Sequence, residues 1–237
     1  MTELSVIIPW RTDDGPRQEA WDYLRPLWGA LPYELIIQDD PNPDGRWSTA
    51  RAINAGVKRA TASRITVFGA DHFPEPEVLS KALCLMDDGY QWCHLFENVR
   101  YATEASTRRL TEGAIQPWQL KIGMQTDHCW GMWMFTREAW ETAGGGDPRF
   151  VGWGFGDSAL IDVWEAIYGP SPDRPGLTLT ELWHPATERG VSDDNPNYRL
   201  YYEEYYPHRG DAEYMRAIHT RWAHLLPADF TGPAGSG

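Results

Sequence analysis

The chain has 237 residues, 42% of them apolar and 23% charged, which is enough to bury a sizeable core and too apolar for a disordered chain. Its 21 basic side chains against 34 acidic ones leave a net charge of −13, which argues against non-specific wrapping of a phosphate backbone. Cys84, Cys93 and Cys129 show no metal-type spacing, and no basic leader precedes a long apolar run, so we expect a soluble protein of a reducing, cytoplasmic setting with no membrane association.

The elements follow in chain order. LSVIIP (4–9) is a β-branched apolar run closed by proline, the pattern of a buried strand. RQEAWDYLRPLWGAL spaces Trp21, Leu24, Trp28 and Leu31 as a helix, with Pro26 expected to weaken or kink it. ELIIQDD (34–40) is a second strand, and STARAINAGVKRAT is a helix opened by Ser48 as N-cap. RITVFGAD (64–71) is a third strand ending in an acid, followed by the helix PEPEVLSKALCLMDDG, which stops at Gly89. Strand and helix thus alternate three times over the first ninety residues, which predicts a parallel sheet with ligands bound beyond its carboxyl ends.

The second half is less regular. QWCHLF (91–96) and WGMWMF (130–135) read as strands, and the polar stretch 97–129 between them reads as an active-site loop or a partly disordered one. REAWETAGGG is a short helix, SALIDVWEAIYG (158–169) a longer one, and LTLTELWH (177–184) a further strand. SDDNPNYRLYYEEYY and AEYMRAIHTRWAHLL read as terminal helices, with 227–237 as a flexible tail. The tyrosine-rich 198–206 stretch either covers an acceptor site or packs as a terminal helix. Most of the thirteen tryptophans are expected in the core, although aromatic faces also suit sugar rings.

Several polar residues fall where chemistry is done. Asp71, with His72 beside it, ends a buried strand, where it either holds a divalent cation or caps the next helix. Asp39 and Asp40 end another, where they accept from a ligand or close a turn before PNPDG. Arg11 follows the first strand and either forks onto a phosphate or pairs with a neighbouring acid. In FVGWGFGD, Gly152 and Gly154 permit a tight bend, Trp153 and Phe155 wall a pocket, and Asp157 stands at a helix mouth, as general base or as N-cap. His184 ends the last strand as a metal ligand or a packed side chain, and no zinc spacing, P-loop, nucleophile elbow or GxGxxG after a strand is present.

The order of these segments resembles the inverting glycosyltransferases of the A-type nucleotide-diphospho-sugar transferase (GT-A) fold. The likeness is greatest to family 2 enzymes and to the C-terminal module of galactosyltransferases. LSVIIPWR, ELIIQDD, ARAINAGVKRATASRITVFGADHFPEP, GMWMFTREAWETAGGGDPRFVGWGFGD and LWH match in sequence order over roughly residues 4 to 184. The resemblance implies a single-domain, Rossmann-like α/β fold, its mostly parallel central sheet flanked by helices. It implies one domain over 1–226, with a nucleotide-binding half (1–96), an acceptor and catalytic half (97–196) and C-terminal helices (197–226). It also implies nucleotide binding by Pro9, Arg11, Asp39, Arg51, Ala70 and Asp71, and Mn²⁺ or Mg²⁺ held by Asp71 and His184. Trp130, Gly131, Trp153, Gly154 and Asp157 would face the sugar or acceptor, with Asp157 as catalytic base. The implied donor is a nucleotide sugar, by default UDP-linked; the acceptor class is open among protein, glycan and small molecule, with nucleic acid disfavoured. Two positions depart from the family pattern: Gly69 replaces the first acid of the DxD motif, and Gly156 replaces the usual Glu before Asp157. The alternatives are a sugar- or nucleotide-binding module without catalysis and a nucleotidyltransferase on the same sheet.

Overall fold

The computed structural model describes residues 2–42, 45–129, 131–185 and 194–226. It is a mixed α/β structure whose larger sheet has the order β2-β1-β3-β7-β4. Strands β1 (Ser5–Pro9), β2 (Glu34–Gln38) and β3 (Arg64–Val67) are parallel, with Ile7 opposite both Ile36 and Val67. Strand β7 (Trp133–Thr136) runs against β3 and against β4 (Trp92–His94), so four of the five strands point one way. Helices α1 (Pro16–Gly29), α2 (Thr49–Arg59) and α3 (Pro76–Asp87) make the connections anticipated from the alternating pattern.

Both faces of this sheet are covered, which is why its strands read as unbroken apolar runs. Val6 and Ile8 pack with Trp21, Leu24 and Trp28 of α1 and Leu79 and Leu83 of α3 on one side. Ile7, between them, points into the other layer, with Ile53 and Val57 of α2. That layer also holds Trp140 of α5 (Arg137–Thr142) and Trp164 of α6 (Gly156–Tyr168). Seven of the thirteen tryptophans, Trp21, Trp28, Trp92, Trp133, Trp140, Trp164 and Trp222, are buried, in line with the expectation for most of them. Helix α1 continues through Pro26 to Gly29, its apolar face of Trp21, Leu24 and Trp28 being buried along the whole length.

The 97–129 region is ordered, which corrects the expectation of a loop. It holds β5 (Phe96–Ala102), α4 (Glu104–Thr111) with Thr103 as N-cap, and β6 (Ile122–Thr126). Strand β5 forms by pairing in parallel with β8 (Gly176–Glu181), about eighty residues later, and antiparallel with β6, a non-local partnership that local pattern does not reveal. The chain ends in α7 (Pro196–Glu204), α8 (Ala212–Ala217) and short 3₁₀ turns rather than two full helices. In the tyrosine-rich segment Tyr201 and Tyr205 are buried, while Tyr202 and Tyr206 are exposed. The tail 227–237 lies outside the described residues. Among the described residues no helix is long and apolar enough to cross a membrane.

Helix α2 joins the two halves. Gly56 lies against β1, where a Cβ would meet Ile7 Cγ2 at 2.7 Å. Asn54, buried, donates to the Gly146 carbonyl at 2.7 Å and accepts from the Gly146 amide at 2.9 Å. Ser48 donates to the Phe150 carbonyl at 2.7 Å, and the Gly152 amide donates to the Trp47 carbonyl at 2.8 Å. Asn54→Ala leaves both backbone groups of Gly146 without these partners and is expected to cost about 2–4 kcal/mol. Urea denaturation at unchanged m-value checks this, and a loss under about 0.5 kcal/mol would show that the clasp contributes little.

Candidate active site

Because β1, β2 and β3 are parallel, Arg11, Asp39 and Asp71 all emerge at one edge of the sheet. Beyond β3 the chain turns at Gly69 and Ala70, and Asp71–Phe73 then pairs with the end of β8. The Leu182 amide donates to the Asp71 carbonyl at 2.8 Å, and His72 bridges to Glu181. This junction between the two sheets gathers four titratable side chains. His184 Nε2 lies 3.3 Å from Asp71 Oδ2 and 3.1 Å from Glu181 Oε1. His72 Nε2 lies 3.2 Å from Glu181 Oε2 and 3.5 Å from Asp71 Oδ1. Arg17, from the first turn of α1, reaches Asp71 Oδ2 at 3.3 Å.

The two imidazoles have different roles. His184 Nδ1 donates to the Pro185 carbonyl at 2.8 Å, leaving Nε2 as the atom that faces two carboxylates. A lone pair facing carboxylate oxygens is repulsive, so that nitrogen needs either a proton or a metal ion. Burial opposes a charge on His184, yet the hydrogen bond with Glu181 and the Asp71 carboxylate raise its pKa above the usual value. Burial likewise opposes ionisation of Glu181, but hydrogen bonds from His184 and His72 override it and hold that carboxyl down at about 2. Burial also works against the charged form of His72, and the hydrogen bond with Glu181 together with the charges of Asp71 and Glu181 raises it. The Gly69 amide, however, donates to His72 Nδ1 at 3.0 Å, which favours the tautomer with its proton on Nε2, directed at Glu181. Asp71, His72 and Glu181 offer ligand atoms within 4.8 Å of one another. With its Nε2 proton committed to Glu181, His72 serves better as that acid's partner, and His184 Nε2 as the imidazole ligand.

The donor set fits a divalent ion. Two carboxylates and an imidazole suit Mn²⁺ better than Mg²⁺, which prefers oxygen and water around it. His184 Nε2 stands within 3.3 Å of an oxygen of each carboxylate, so one ion could draw on all three. Glu181 was missed by sequence reading; its signal was its place at the strand exit, three residues before His184. The glycine at 69 has a physical cause: a Cβ there would lie 2.5 Å from Asp71 Oδ1 and 2.8 Å from His72 Cε1.

The remaining residues divide by partner. Arg11 Nε donates to Asp39 Oδ1 at 2.8 Å, its NH2 reaches the Asp40 carbonyl at 3.1 Å, and its guanidinium lies 5.3 Å from the centre of the Trp47 ring. Asp39 is exposed, whereas Asp40 is buried and accepts from Arg51 NH2 at 2.7 Å, the Ser48 amide at 2.8 Å and the Asn42 amide at 3.0 Å. Burial raises the Asp40 carboxyl, but these bonds, Arg51 first, leave it below its usual value. Arg51 also binds the Arg46 carbonyl, so it organises the 40–48 loop. Pro9 is the last residue of β1, paired with Gln38, and Ala70 is buried beside Asp71. Gly131 is half-buried, and Trp130 lies outside the described residues.

The 152–157 bend requires its glycines. Gly152 (φ 76°) and Gly154 (φ 101°) are left-handed, as is Phe155 (φ 65°), which caps α6. Asn197 of α7 donates to the Val151 and Trp153 carbonyls at 3.0 and 3.2 Å, fixing the bend, and Trp153 is 38% exposed. Asp157 is the second residue of α6, not its N-cap, and its Oδ1 accepts from the Ser158 amide at 2.9 Å. Burial raises its pKa, and backbone hydrogen bonds offset this only in part, so desolvation outweighs the helix end that was expected to keep it ionised. No described hydrogen bond or ion pair joins Asp157 to the cluster. Burial pushes the Cys129 thiol up to about 12, and the Arg174 charge opposes this. The hollow of about 660 Å³ between α3 and the smaller sheet shares no residue with this cluster.

The solved structures to which the chain is similar include sugar transferases, several of them crystallised with UDP or a UDP-sugar. One is glucosyl-3-phosphoglycerate synthase from Mycobacterium tuberculosis in complex with Mn²⁺, UDP-glucose and phosphoglyceric acid (14% identity, 96% of this chain and 82% of that chain, TM-score 0.49). Another is Drosophila β1,4-galactosyltransferase 7, mutant D211N, with manganese, UDP-Gal and xylobiose (13% identity, 74% of this chain, TM-score 0.45); the match spans 65% of that chain, under two thirds of its length. No protein-family model and no curated protein matches the sequence. No residue role in this chain follows from these likenesses.

Two outcomes follow from the cluster. Gly69→Asp, which adds an acid beside the cluster, is expected to weaken Mn²⁺ binding by about 10- to 100-fold, because the new side chain displaces Asp71 and His72. Tighter binding by calorimetry would show that the site has room. In the metal-free protein the raised His184 pKa contributes stability that is complete below pH 6.5 and is lost as pH rises through the folded-state value. Mn²⁺ competes with that proton, so its stabilisation grows over the same rise; melting curves against pH, with chelator and with Mn²⁺, should diverge.

Proposed function

We propose that the protein is a metal-dependent glycosyltransferase that moves a sugar from a nucleoside-diphosphate sugar, UDP-linked by preference, to a hydroxyl acceptor with inversion. The observation that carries this reading is the Asp71–Glu181–His184 cluster at the carboxyl ends of parallel strands, with a separate half-buried acid, Asp157, on the aromatic bend. Asp71, Glu181 and His184 would hold Mn²⁺, which when bound neutralises charge on the departing diphosphate. Arg11 and the exposed Asp39, paired at the end of β2, take the nucleotide, with Pro9 and Ala70 lining the edge and Arg51 shaping the 40–48 loop. Residues 1–96 thus serve the donor and 97–196 the acceptor, in one domain.

Asp157 removes the proton of the attacking hydroxyl. Its raised pKa makes it a stronger base than an exposed aspartate once ionised. Trp153, Gly154 and Gly131 present an aromatic face and open backbone to the sugars. A single base on the acceptor side suits direct displacement rather than a covalent intermediate. The free thiols of Cys84, Cys93 and Cys129 suit action in the cytoplasm.

A panel of nucleotide sugars scored for thermal stabilisation, with and without Mn²⁺, identifies the donor. Asp157→Asn is expected to abolish transfer while nucleotide binding changes less than about threefold; normal transfer by that variant removes Asp157 from the role. In the wild type the rate should climb with pH through an ionisation above the ordinary aspartate value of 3.8, since only the carboxylate accepts a proton. A rate flat through the acid range would contradict this.

A further inference from the structure

We infer that Arg17 is an exchange partner: it neutralises Asp71 when no metal is bound and turns to the donor diphosphate when metal and nucleotide enter together. The inference rests on the proposed function. Arg17 is the second residue of α1, where a cation opposes the positive end of the helix dipole. Helix capping does not account for it. That work is done by Asp13, which accepts from the amides of Gly15, Arg17 and Gln18 at 2.9, 3.3 and 3.1 Å. The Arg17 guanidinium instead crosses to the cluster and meets Asp71 Oδ2 at 3.3 Å, the same oxygen that faces His184 Nε2. Its side chain is 44% exposed while that of Asp71 is 7% exposed, so one end of the pair is fixed and the other can swing.

Two cations cannot share one carboxylate oxygen without repulsion. A divalent ion on Asp71 and His184 therefore displaces the guanidinium. With nothing else nearby, losing that pair weakens metal uptake. A diphosphate on the metal gives the guanidinium a better partner, because its planar fork matches phosphate oxygens. Metal and nucleoside diphosphate then bind cooperatively, with Arg17 linking them, and the linkage is reciprocal. This also suits a site with Gly69 in place of a second motif acid, since Arg17 supplies positive charge to the leaving group beside a cation held by fewer aspartates.

The test is calorimetry on wild type, Arg17→Gln and Arg17→Lys, with Mn²⁺ alone, then UDP in saturating Mn²⁺, then uridine as the phosphate-free control. Arg17→Gln is expected to bind Mn²⁺ alone about threefold more tightly and UDP about tenfold more weakly, with uridine unchanged and Arg17→Lys intermediate. The opposite signs separate exchange from support. Weakening of both ligands would make Arg17 a structural brace, and weakening of UDP alone would leave a phosphate contact without exchange; either result, or no change, overturns the inference. A wild-type protein that takes up Mn²⁺ but none of UDP, GDP, ADP or CDP sinks the proposed function itself, a result distinct from any behaviour of the variants.

Discussion

A buried carboxylate must be balanced, and the site is built around that requirement at Asp71. Its neighbours are Glu181, which adds negative charge, two imidazoles and one arginine. Both acids are largely withdrawn from water, so their mutual repulsion and lost hydration have to be met by positive charge from outside the pair. The proton on His184 and the Arg17 guanidinium meet it in the metal-free protein, and His72 adds a hydrogen bond to Glu181. A divalent ion meets it better, because it replaces several partial solutions at once. The demand for positive charge is therefore a property of the folded junction rather than of any one residue.

That junction exists because two sheets end at the same place. The large sheet delivers Asp71 beyond β3, and the small one delivers Glu181 and His184 at the end of β8. Backbone bonds between residues 71–73 and 180–182 lock the ends together, so the ligand spacing is set by main chain as much as by side chains. Gly69 is part of this economy of space: the main chain at that position comes so near Asp71 and His72 that a side chain has no room. The glycine at 69 and the closeness of Asp71 and His72 are two sides of one geometry.

Asp157 shows a different balance. At the mouth of α6 the helix end favours an ionised Asp157, and so do two backbone amides, yet burial moves the carboxyl the other way. The bend that buries it is held by Asn197 of α7 on one side and by Trp47 and Ser48 ahead of α2 on the other. Segments a hundred residues apart thus fix how deeply one acid sits, and through that its strength as a base.

Much of the first half was legible in the sequence, since β1, α2 and β3 follow from local period and punctuation: LSVIIP, the Ser48 cap, the helical spacing of Ile53 and Val57. Those strands place Arg11, Asp39 and Asp71 at one edge, and the glycines at 152 and 154 permit the tight bend that the structure shows to be left-handed. The 97–129 segment was not legible, because β5 is a strand only by pairing with β8 far along the chain. Neither was the division between Asp39 and Asp40, adjacent acids of which one is exposed and the other is closed in by Arg51. Sequence by itself determined which elements form and which residue types stand at their ends, because those depend on neighbours within a few positions. Tertiary structure alone decided that Glu181 and Arg17 join Asp71 and that burial outweighs the helix at Asp157, because charge balance and desolvation depend on what the chain brings near from far away.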